Sequence, residues 1–133
     1  MDRFIRKEDF LNTPNQFQED YINWWKPQIG DFFTWADTDN HEMRKVECCC
    51  SDLMVDATAK NKGIDNRIPL PSIESLIDYI ESKGYYVEIE YNSVFIHDRE
   101  DDVFTGIQKE GINVLDALLS ASVEVQKEND NEI

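Results

Sequence analysis

Three consecutive cysteines, Cys48-Cys49-Cys50, are the most reactive side chains in the sequence. On a strand, Cys48 and Cys50 would face one side and Cys49 the other. A zinc site needs about four ligands converging on the ion. His41 could add one only across a turn, and no second C-x-x-C exists. The expectation is therefore reduced thiols in packing roles, with no metal and no cofactor. A reactive thiolate needs a positive neighbour, and Arg44 and Lys45 are close in sequence only. A Cys–His enzyme would have to join Cys49 or Cys50 to His97.

The acids offer a second chemistry. Asp37-Thr38-Asp39-Asn40-His41-Glu42 has the look of a calcium loop, yet it lacks the glycine at the sixth position and the glutamate at the twelfth. A solvated turn is expected. Asp98, Glu100, Asp101 and Asp102 form the densest acidic point. Carboxylates that hold Mg²⁺ or move protons are brought together from different elements, whereas neighbours in one loop repel and stay wet. Their remaining use is as a phosphate-like patch for a basic partner. Trp24, Trp25, Trp35, Tyr85, Tyr86 and Tyr91 could form a stacking platform. Nucleic-acid binders pair such rings with positive charge, so core and sheet packing is the expected role. Tyr86 is the exception: alternation sets it, exposed, on the face of Glu88 and Glu90. Tyrosine is enriched at contact centres.

Charge supports that reading. The 133 residues carry 28 acids and 13 bases, a net charge of −15. Residues 67–133 hold 15 acids and 5 bases, a net of −10. Such a chain repels DNA phosphates. A hydrophobic content of 41% is too high for a wholly disordered acidic chain. No apolar run is long enough for a membrane helix. The start, Met1-Asp2-Arg3-Phe4-Ile5-Arg6-Lys7, lacks the apolar stretch of a signal peptide, and cysteine usage fits a reducing compartment. A cytoplasmic location is expected.

The elements that would carry these groups follow from local signals. Phe4, Ile5, Phe10 and Leu11 are apolar anchors in a charged start. Pro14 opens a helix over 14–25 with Phe17, Tyr21 and Trp24 on one face; Trp25-Lys26-Pro27 ends it. Phe32–Trp35 reads as a strand, Asp37–Asn40 as a turn, Glu42–Cys50 as the returning strand and Leu53–Ala57 as a third. Lys60–Asn66 is a loop. Arg67–Pro71 is extended, its prolines fitting a sheet edge. Ser72 caps a helix with Glu74 in its first turn and an apolar stripe of Ile73, Leu76, Ile77 and Ile80. Gly84 ends it. Tyr85–Tyr91 then alternates as a strand, Asn92-Ser93 turns, and Val94–His97 returns. Val103–Ile107 suggests one more strand. Asn113 caps a last helix whose buried side is Leu115, Leu118, Leu119, Ser122 and Val123, with fraying from Gln126 onward.

The pattern predicts an α+β protein: small antiparallel sheets with helices on one face, three main helices and five to six strands. Residues 1–66 form a helix and hairpin unit, 67–127 a helix–hairpin–helix unit packed with it as one domain, and 128–133 a polar tail. An edge strand near Arg67–Leu70 or Val94–His97 would let copies pair into a homo-oligomer.

Two strings resemble known proteins. Trp25-Lys26-Pro27-Gln28-Ile29-Gly30-Asp31-Phe32 looks like a W-x-P-x-x-G-D entry to a small β unit, and Leu70-Pro71-Ser72-Ile73-Glu74-Ser75-Leu76 like an LPS-x-x-x-L segment. Both are similar to small proteins encoded by phages and prophages of Gram-positive or gut bacteria. Residues 68–125 resemble a phage ABA-sandwich domain, which implies helices packed around a small sheet. The matching residues are structural, so the resemblance supplies no catalytic residue.

The expected function is that of a non-enzymatic accessory or interaction protein, possessed by a phage or other mobile element. Its partner is a protein, and its contact surface is Tyr86, Glu88, Glu90, Asp98, Glu100, Asp101 and Asp102. A sharper alternative is a DNA-mimicking inhibitor of a host nucleic-acid-binding protein. Carboxylates at i and i+2 on a strand sit roughly 6.5–7 Å apart, close to the spacing of phosphates. A small enzyme using a cysteine or an acidic metal site is the third alternative.

Overall fold

The computed structural model describes residues 4–25, 32–35, 44–45 and 67–131. The cysteines, the Asp37–Glu42 segment, the Leu53–Ala57 strand and the Lys60–Asn66 loop lie outside the described residues. Among those described are four helices, α1 (Lys7–Leu11), α2 (Asn15–Trp24), α3 (Ile73–Ser82) and α4 (Val114–Asn131). Six strands, β1 (Phe32–Trp35), β2 (Arg44–Lys45), β3 (Arg67–Pro69), β4 (Tyr85–Glu90), β5 (Ser93–Asp98) and β6 (Val103–Glu110), accompany them. They form two three-stranded antiparallel sheets, β2-β1-β3 and β4-β5-β6. The chain is α+β, as its pattern predicts.

Helix α2 begins just after Pro14 and stops where Trp25 turns extended at ψ 123°. Its inward side buries Phe17 and Tyr21 against Phe10 of α1 and Tyr79 of α3, with ring centroids 5.2–6.2 Å apart. Burying each such side chain contributes roughly 1.5–3 kcal/mol. The five-residue α1 has too few periodic positions to read from sequence. It places Phe10 inward, while Leu11, expected as an anchor, is exposed.

Helix α3 follows its local signals closely. The Ser72 hydroxyl oxygen accepts a hydrogen bond from the Ser75 N–H at 3.1 Å, and Gly84 ends the helix at φ +93°. Its buried stripe is Leu76, Tyr79 and Ile80, with Ile73 and Ile77 partly covered. Tyr79, omitted from the predicted stripe, is fully buried because its hydroxyl finds a partner on α2. That hydroxyl donates to Asp20 Oδ2 at 2.5 Å, and Lys83 Nζ meets the same oxygen at 2.9 Å.

Strand β3 is an edge of the first sheet, where its prolines are tolerated. Val94–His97 is not an edge: β5 runs through the middle of the second sheet, so the oligomer contact expected there has no open backbone to use. Helix α4 is capped by Asn113, whose Oδ1 accepts from the Asp116 N–H at 2.9 Å. It continues to Asn131 instead of fraying at Gln126, which is buried because it lies on the inward face one turn after Ser122. One buried cluster joins Ile5, Phe10, Phe17, Tyr21, Phe33 and Ile68 to the residues of α3, α4, β4 and β5.

Candidate functional site: the outer face of the second sheet

Helices α3 and α4 pack on the face of the second sheet that carries Tyr85, Val94 and Ile96. The opposite face carries Tyr86, Glu88 and Glu90 of β4, and their partners are fixed by register: Tyr86↔His97, Glu88↔Phe95 and Glu90↔Ser93. On the other side, β6 sets Glu110 beside Ser93, Gln108 beside Phe95 and Phe104 beside His97.

That last pairing depends on a bulge. The ladder that pairs Ser93 with Glu110 and Phe95 with Gln108 would, if unbroken, set Gly106 opposite His97. Between Phe95 and His97 the register slips by two residues. The slip is held where Thr105 Oγ1 donates to the Ile96 carbonyl at 2.7 Å and accepts from the Ile107 N–H at 3.2 Å. Bulges re-aim side chains in this way. Here the result is a ring beside the imidazole instead of a bare glycine.

His97 is the centre of the cluster. Its ring stacks on Tyr86, with centroids 4.7 Å apart and an interplanar angle of 7°, and Phe104 approaches from the other side at 5.6 Å. Its Nε2 lies 2.9 Å from Glu88 Oε2. The imidazole is only 16% exposed although it sits on an outer face. The Tyr86 hydroxyl donates to Asp102, and this hydrogen bond holds the phenol above its ordinary value of 10.0. Burial and the negative charges of Asp102 and Glu88 push in the same direction. Phe95 and Phe104 continue the aromatic strip, centroids 6.1 Å apart.

The seven residues singled out from the sequence divide in this geometry. Tyr86, Glu88 and Glu90 share the outer face, and Asp102 joins them through the phenol. Tyr86 is half-buried against His97 instead of standing free. Asp98 turns into its own loop, where Oδ1 accepts from the N–H groups of Glu100 and Asp101 at 2.9 and 3.2 Å. Glu100 and Asp101 are exposed beyond it. Among the described residues no three His, Cys, Asp or Glu side chains converge as metal ligands would, and no helix is long and apolar enough to cross a membrane.

Sequence reasoning passed over His97, Phe95 and Phe104 as members of this face, although alternation alone sets Phe95 and His97 on it; the turn decides only which residues they meet. Asn92-Ser93 is the pair expected to reverse the chain. The reversal is at Tyr91-Asn92 instead, and Tyr91, not the asparagine, takes the positive φ of 56°. A tyrosine there is uncommon. The difference slides the pairing by two residues, and only the true register brings His97 to Tyr86 and Phe95 to Glu88.

No family model matches the chain, and no curated protein or solved structure matches it either.

Proposed function

We propose that this is a non-enzymatic accessory protein, of phage or other mobile-element origin, that binds a basic segment of another protein across the outer face of β4–β6. One observation carries the reading. That face holds partly open aromatic surface, with Phe104 45% exposed, and no described element covers it. Glu88, Glu90, Glu110 and Asp102 stand around the rings. An aromatic centre with a charged rim is the anatomy of a protein contact, and the sign of the rim asks for a cationic partner. The origin rests on the two sequence strings alone.

The DNA-mimic alternative has less support on this face. Its carboxylates are interrupted by Tyr86, Phe95, His97 and Phe104, whereas a substitute for a phosphate strand calls for an unbroken acidic row.

The test is selection of displayed random peptides on the immobilised protein, followed by amide-shift mapping with the enriched sequences. Peptides rich in Lys and Arg with apolar residues between them are expected, perturbing amides of β4, β5 and β6. Their affinity should fall with salt and be lost in the Glu88→Lys/Glu90→Lys variant. Enriched peptides that map to the helices, or that bind this variant undiminished, overturn the proposal.

A further inference from the structure

At the turn end of this same face lies an open depression of about 350 Å³, lined by Glu90, Tyr91, Asn92, Ser93, Phe95 and Glu110. We infer that it is a socket for one arginine side chain of the basic partner, an inference that rests on the protein-binding reading above and specifies it.

The socket follows from one row of the sheet. Glu90, Ser93 and Glu110 are Cα partners across β4, β5 and β6. Adjacent strands are about 4.8 Å apart, so the two glutamates stand roughly 10 Å from each other across the row. The residue between them is a serine, whose small side chain leaves the middle of the row low. The next residue on the same face of β5 is Phe95, a ring that walls the hollow on one side. Tyr91 stands at the other side, 92% exposed. A hollow with a carboxylate at each edge and aromatic surface at both ends suits a planar, delocalised cation. A guanidinium can donate to carboxylates in its plane while its face lies on a ring.

Two further features favour this occupant. Among the described residues neither the Glu90 nor the Glu110 side chain has a hydrogen bond or ion pair, while Lys109, next to Glu110, is turned to the other face and lies 3.7 Å from Glu124. The carboxylates of the socket are therefore not engaged by another side chain. The rim is also tied down. Asn92 Nδ2 donates to the Ile112 carbonyl, and the Gly111 N–H donates to the Asn92 carbonyl, both at 3.3 Å. The β4–β5 turn is thus fastened to the segment that leads into α4, and a preorganised site loses less on binding.

The experiment titrates the isotope-labelled full chain with N-acetyl-arginine amide, with the uncharged N-acetyl-citrulline amide, and with Mg²⁺ or Ca²⁺. The arginine compound should shift amides of Glu90, Tyr91, Ser93, Phe95 and Glu110, and citrulline should not. The Glu90→Gln/Glu110→Gln variant, with unchanged α4 amides as the check on folding, should bind roughly tenfold more weakly. Shifts spread over the whole acidic surface, equal shifts with citrulline, an unaffected double variant, or a divalent ion as the sole ligand would each overturn the socket. The broader reading is separable. A selected peptide that maps to β4–β6 but loses nothing when its arginines become citrulline refutes the socket alone. Selection that yields no ligand for the face refutes the broader reading, and the arginine titration still decides the socket.

Discussion

Asn at position 20 should weaken the fold at neutral pH and progressively less in acid. Asp20 of α2 receives the Tyr79 hydroxyl at 2.5 Å and the Lys83 ammonium at 2.9 Å, so one oxygen ties α2 to both the middle and the end of α3. Burial works against its charge, but the hydrogen bonds from Tyr79 and Lys83 and the ammonium's attraction outweigh that, and its carboxyl is lowered from the ordinary 3.8. The sign follows. A carboxyl that ionises more readily in the folded chain adds stability above its unfolded value. The contribution fades as pH drops through the folded value and is gone below it. The Asp20 side chain is 36% exposed, so water screens the pair, and Asp20→Asn should cost about 1 kcal/mol at pH 7. Asparagine keeps an acceptor for Tyr79 and does not titrate. The wild type and Asp20→Asn should therefore differ in urea midpoint at pH 7, and the gap should narrow steadily as the pH falls below the ordinary 3.8. Every other acid titrates alike in both proteins and drops out of the difference. A gap that does not narrow as the pH falls through the acid range, or no gap at any pH, would refute the assignment of this carboxylate as the charged tie between the helices.

Two other substitutions probe the elements that frame the face. At Gly111 an added Cβ would meet the Ala117 nitrogen at 2.9 Å and the Asn113 carbonyl oxygen at 3.0 Å, both backbone atoms of the α4 start. Gly111→Ala should cost about 1–3 kcal/mol in thermal or urea unfolding, and a variant as stable as wild type would mean that the α4 start yields easily. Asp102→Asn keeps a residue that tolerates the φ of +52° at this position but removes the charge that the Tyr86 phenol faces. The phenol should titrate closer to 10.0, read from tyrosine ring-carbon shifts, and an unchanged titration would exclude Asp102 as the cause.

How much of this was legible in the sequence varied with the range of the interaction responsible. Helix α3 and strand β4 were clear because a cap, an apolar stripe, a terminal glycine and a change of period all lie within a few residues of one another and agree. What failed was non-local. Tyr79 was not counted in the apolar stripe, because the hydrogen-bond partner that lets it be buried, Asp20, lies 59 residues earlier. Gln126 looked like the start of a frayed tail until the inward face of α4 claimed it. Strand β4 alternates as expected but its burial fades along its length, from Tyr85 inside to Ile89 at 41% exposure, because the helices cover only its first half. The face itself was half legible. Period two set Tyr86, Glu88 and Glu90 together, but their neighbours depended on a turn with a tyrosine at positive φ and on a bulge at Thr105–Ile107. Neither has a residue-type signature strong enough to compete with Asn92-Ser93.

The position of the acids also bears on what this face can select. Half-exposed rings on a sheet face would by themselves favour association with any apolar surface, including a second copy of the chain. Glu88, Glu90, Glu110 and Asp102 change that preference. Two copies meeting face to face would bring eight carboxylates around one aromatic patch, within the screening distance of about 8 Å at physiological salt. A cationic segment meets the same rings with attraction at the rim. Discrimination is a difference between affinities, and repulsion of the wrong partner contributes to it as directly as attraction of the right one. On this argument the acidic border of the strip would disfavour pairing of two copies through this face and favour the cationic partner proposed for it.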